Sequence, residues 1–120
     1  MEHKAYDLRK MKEISGGDNT FINEMVVAFV ENVSNAIDKI QTLKLTEDWK
    51  SIGEIAHKLA SNFAYMSADD MYSIADNIEK SVLIEHNLTN IKDKTEKLCN
   101  ESILLLNQIK NDFDFNLVEV

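Results

Sequence analysis

The stretch Trp49-Lys50-Ser51-Ile52-Gly53-Glu54-Ile55-Ala56-His57-Lys58-Leu59-Ala60-Ser61-Asn62-Phe63-Ala64-Tyr65-Met66 decides the fold. Trp49, Ile52, Ala56, Leu59, Phe63 and Met66 recur at steps of three and four, the spacing that gathers side chains on one face of an α-helix. At roughly 100° per residue the stripe centres near Ile52 and Leu59, and His57 falls about 140° away, toward solvent. The neighbours of His57 on its own face are Gly53, Ala60, Ser61 and Ala64, all of them small. Exposed helix faces ordinarily carry long polar side chains, and a mid-helix glycine costs about 1 kcal/mol relative to alanine. The run therefore predicts an imidazole standing in a cleared patch, with Glu54 and Lys58 at its edge.

Working outward, the same periodicity continues on both sides. The chain has no proline and only three glycines, so little interrupts long helices. Thr46 reads as the N-cap of the helix just described, which is expected over about 46–66. Before it, Asp18 is a credible N-cap for a helix over about 18–44, with Ile22, Met25, Phe29, Val33, Ala36, Ile40 and Leu43 inward. A short helix over about 7–14 precedes that one, closed by Ser15-Gly16-Gly17, since paired glycines reach the left-handed backbone that ends a helix. After it, Ser67-Ala68-Asp69-Asp70 reads as a cap followed by acidic first-turn residues, opening a helix over about 68–84 with Met71, Ile74, Ile78 and Val82 inward. The pattern resets at His86-Asn87-Leu88-Thr89, and Ile91, Thr95, Leu98, Ser102, Leu105 and Ile109 mark a last helix over about 88–112. From Asp112 to Val120 apolar and polar residues alternate, and this tail is expected to pack loosely or fray. The fold class is all-α: an antiparallel four-helix bundle with a short extra N-terminal helix, one domain over residues 1–120.

Charge and composition exclude several classes. Thirteen Lys and Arg against 21 Asp and Glu leave a net charge of −8, which argues against nucleic acid and against an anionic membrane surface. The longest apolar run, Met25 to Val30, is far short of a bilayer span, and no secretory core follows the N-terminus. A cytoplasmic monomer is expected. Cys99 is the single cysteine, so neither an intrachain disulfide nor a thiolate metal cage forms. Glu54-Ile55-Ala56-His57 has the Glu-x-x-His spacing of di-iron bundles, but that motif occurs once and faces outward, so no metal and no bound cofactor are expected. Phe29, Phe63, Trp49 and Met66 read as core, and Tyr65 as outward-facing and available for docking.

The chemistry then rests on His57. No Ser-His-Asp or Cys-His set accompanies it, so it is no triad base. A neutral imidazole is itself a nucleophile: attack on an acyl phosphate yields a phosphoramidate reactive enough to pass the group on. His3 and His86 have no comparable setting.

Ile55-Ala56-His57-Lys58-Leu59-Ala60-Ser61-Asn62-Phe63, with Asp76-Asn77-Ile78-Glu79 on the next helix and Ile14-Ser15-Gly16-Gly17-Asp18 upstream, resembles the histidine-containing phosphotransfer domains of two-component phosphorelays. The resemblance implies that His57 accepts a phosphoryl group from the aspartyl phosphate of one response-regulator receiver domain and gives it to the aspartate of another, through the ring nitrogen farther from the backbone. It implies receiver domains as partners, with a hybrid sensor histidine kinase as a further one, and Mg²⁺ supplied by the receiver. This domain would be a phosphoryl carrier more than a catalyst, with Gly53, Lys58, Ala60, Ser61 and Ala64 around the docking site. The family commonly has lysine and glycine where this chain has Ala60 and Ser61, which removes a cation from beside the phosphoryl group. A rival reading is a helical adaptor that binds receivers or other proteins without relaying phosphate.

Overall fold

The computed structural model describes residues 5–113. Among these residues five α-helices follow in order: α1 (Arg9–Ser15), α2 (Asn19–Leu45), α3 (Trp49–Tyr65), α4 (Asp69–Glu79), which runs on into a π-helical turn over Lys80–Ile84, and α5 (Ile91–Phe113). Each of α2, α3 and α4 packs on the next, and α5 closes the ring against α4 and α2. The connections between α2, α3 and α4 are only a few residues long, which forces the antiparallel arrangement expected. The long axis of 42 Å is close to the length of α2, about 1.5 Å for each of its 27 residues. Helix α1 lies against α2 at one end.

The helix starts and stops have local causes. Gly16 and Gly17 both take positive φ, 66° and 85°, and their amides bond back to carbonyls of the last turn of α1. Asp18 caps α2 as expected, its carboxylate accepting from the amides of Thr20 and Phe21. The cap of α3 differs from expectation: Thr46 ends α2, and Asp48 accepts from the amide and hydroxyl of Ser51. Those bonds hold the Asp48 carboxyl below the usual carboxylate range. The cap expected before α4 is likewise shifted, because Ser67 takes a φ of 50° and Ala68 is the N-cap, with no side-chain bond.

The core lies inside the ring. Ile52, Ala56, Leu59, Phe63 and Met66 are all buried, as the stripe of α3 requires, and Phe29 meets the Phe63 ring edge-on at 6.1 Å. Every inward residue expected on α5 is buried. On α2 the deepest residues are Val26, Val33 and Ile40; Val30 and Ile37 are buried as well, while Met25, Ala36 and Leu43 lie at the margin. Cys99 is buried, and burial pushes its thiol up. Asp112 and Phe113 belong to the last turn of α5, so the alternating tail does not begin at Asp112. The remainder of that tail, like His3, lies outside the described residues.

Candidate functional site

The site is the border between α3 and α4. With Leu59 taken as the centre of the inward stripe, Ala56, Gly53, Ala60 and Ala64 fall about 60–140° round to one side, and Lys58, Glu54 and Ser61 about 100–160° round to the other. His57, at about 160°, stands between the two flanks.

The first flank is covered. Gly53 and Ala60 are buried and Ala64 is half-buried. At Gly53 the covering atoms are those of the π-turn: an added Cβ would lie 3.1 Å from Leu83 Cγ, Val82 Cβ and Val82 Cγ1. The small side chains expected to clear the surface around His57 thus include two, Gly53 and Ala60, that are not at the surface. Gly53 lets the π-turn approach closely, and α3 and α4 form the most extensive helix pair of the bundle. The second flank is open: Ser61, Lys58 and Glu54 are exposed as expected.

His57 itself is exposed over 66% of its side chain, and its Nδ1 lies 2.7 Å from Glu79 Oε2, at the end of α4. A carboxylate only accepts hydrogen bonds, so the proton of this contact belongs to Nδ1. The neutral ring consequently carries its lone pair on Nε2, which has no hydrogen-bond partner among the described residues. Glu79 is much less exposed, at 20% of its side chain, so its carboxylate is held against the bundle while the imidazole projects. The carboxylate reaching the ring comes from α4 and not from Glu54 one turn earlier. The pairing of Glu79 with His57 could not be read from periodicity, because it depends on the relative height of two helices.

Other charges lie farther off. Asp76 is engaged by Lys80 at 2.8 Å. Lys10 Nζ on α1 reaches the Ala64 carbonyl at 3.3 Å, placing one cation two turns along α3 from His57. Between α1, α2 and α3 a shallow groove is lined by Met11, Ile14, Met25, Phe29 and Tyr65. Tyr65 and Ile14 are exposed there, whereas Phe63 and Met66 are fully buried and Trp49 is half-buried. His86 lies on the connection before α5, away from any such setting. Among the described residues no helix is long and apolar enough to cross a membrane.

Comparison with curated proteins and with solved structures gives no significant match. The family model described as Hpt domain matches residues 24–113, which contain α3, α4, α5 and most of α2. The chain therefore belongs to the histidine-containing phosphotransfer (Hpt) domain family, helical bundles with a phosphotransfer-related role in two-component signalling.

Proposed function

We propose that this domain relays a phosphoryl group between receiver-domain aspartates through Nε2 of His57. The observation that carries the reading is the 2.7 Å contact between Nδ1 and Glu79 on an otherwise exposed ring. In the accepting step the Nε2 lone pair attacks phosphorus of an aspartyl phosphate, the N–P bond forms, and the P–O bond to the aspartate breaks with its electron pair leaving on the carboxylate. The ring then bears positive charge, which Glu79 balances through the same Nδ1–H bond, as a carboxylate does for an imidazolium elsewhere. In the donating step the N–P bond breaks, its electrons return to Nε2, and the next aspartate takes the phosphoryl group. The receiver is the partner expected to bring Mg²⁺.

Receivers would dock on the open flank, with Ser61 and Lys58 beside the ring and the apolar residues Ile14 and Tyr65 farther along. Ala60 in place of lysine favours the adaptor reading to one extent: no cation reaches the ring from that position. Incubation with a phosphorylated receiver separates the two. The relay predicts acid-labile, base-stable label on the wild type and none on His57→Ala. Equal, negligible label on both with binding retained would leave the adaptor.

A further inference from the structure

Gly53 lies one turn before His57 on α3, beneath Val82 and Leu83 of the π-turn. Ordinary carbon–carbon contact settles near 3.5–4.0 Å, so a methyl at Gly53, 3.1 Å from three carbons at once, would push the π-turn outward. One of the three is Val82 Cβ, which moves only with its backbone, so side-chain rotation cannot absorb the displacement. The chain enters this turn directly from Glu79. Wide π-helical turns are rare and tend to occur at functional sites.

We propose that Gly53 is a positioning residue: by seating Val82 and Leu83 against the α3 backbone, it sets Glu79 at the height where its carboxylate holds His57 Nδ1–H and leaves Nε2 free. Its consequence for phosphoryl transfer rests on the relay reading, but the hydrogen bond it governs is present whether or not the domain carries phosphate.

The test uses the full chain labelled with ¹⁵N, at a pH well above the ordinary imidazole value of about 6.5. The ring nitrogen shifts of His57 in the wild type should report one dominant tautomer, protonated on Nδ1. In Gly53→Ala they should move toward the average of two tautomers, and phosphoryl uptake should slow by about tenfold, less than the 10²-fold that a full ångström of misplacement can cost. Gly53→Ala/Leu83→Ala removes one opposing atom and should move the shifts partway back. A folded Gly53→Ala with wild-type ring shifts overturns the proposal. If Gly53→Ala does not fold, the double variant is measured in its place, and wild-type shifts there, or failure to fold, overturn it equally. A wild type that takes up no phosphate, yet shows the tautomer change, defeats the relay and leaves this inference standing.

Discussion

The two flanks of His57 look alike in sequence and differ in space. Gly53 and Ala60 on one side, Ser61 on the other, are all small residues within about a turn of the imidazole. On the first side both are buried, Gly53 beneath the π-turn that continues α4, and on the second the surface is open. Smallness on a helix thus has two causes, close packing by a neighbour and access for a partner, and only the neighbour's position distinguishes them. The covered flank brings Glu79 to the ring, and the open flank leaves room for a second protein. In the proposed relay, one helix border would both orient the imidazole and present it.

Substitutions that fill each flank would break or sharpen this contrast. The largest effect on stability is expected for Gly53→Leu, which drives a bulky chain into Val82 and Leu83 and should cost about 1–3 kcal/mol by overpacking. Ser61→Leu, which places the same side chain on the open side, should stay within about 0.5 kcal/mol. Similar chemical-denaturation midpoints for the two would contradict the assignment of covered and open flanks.

Ser61→Arg should leave folding intact while slowing phosphoryl exchange with a receiver by about tenfold or more, since one steric clash at a docking surface readily costs 1.4 kcal/mol. Unchanged exchange would mean that the partner approaches from elsewhere. A smaller effect is expected for Ala60→Lys. Ala60 is only 6% exposed, so the lysine stem must climb along the α3–α4 seam before its ammonium emerges. A few-fold faster transfer, or a longer-lived phosphohistidine, would show that the cation matters there, and no change would show that it is not needed.

Much of the bundle was legible in the sequence because each helix has to bury one stripe. The inward faces of α3 and α5 followed from three-four spacing alone. On α2 the spacing was less decisive, since Met25 to Val30 is apolar at every position and offers several equivalent faces. Caps were legible where the side chain had one candidate partner, as at Asp18, and less so where two polar residues competed, as at Thr46 and Asp48. The exposure of His57 was legible. Its bond to Glu79 was not, because it arises from the meeting of two helices and from a local widening over Lys80–Ile84 that no period announces.

The smallest effect expected is an acid one at the start of α3. The Asp48 carboxyl is held low by Ser51, so its contribution to stability is complete above the ordinary carboxylate value of about 3.9 and is lost as pH falls through its own lower value. In Asp48→Asn that part of the acid slope should disappear, while the ring shifts of His57 at neutral pH stay unchanged. A change at the ring would couple the start of the helix to the site, against the view that the α4 flank alone sets it.

The most direct measurement is the one-bond ¹⁵N–³¹P coupling in protein phosphorylated by a receiver domain. The account predicts a single phosphorus on Nε2 of His57, with Nδ1 still protonated toward Glu79. Phosphorus on Nδ1, or on any residue other than His57, would contradict it.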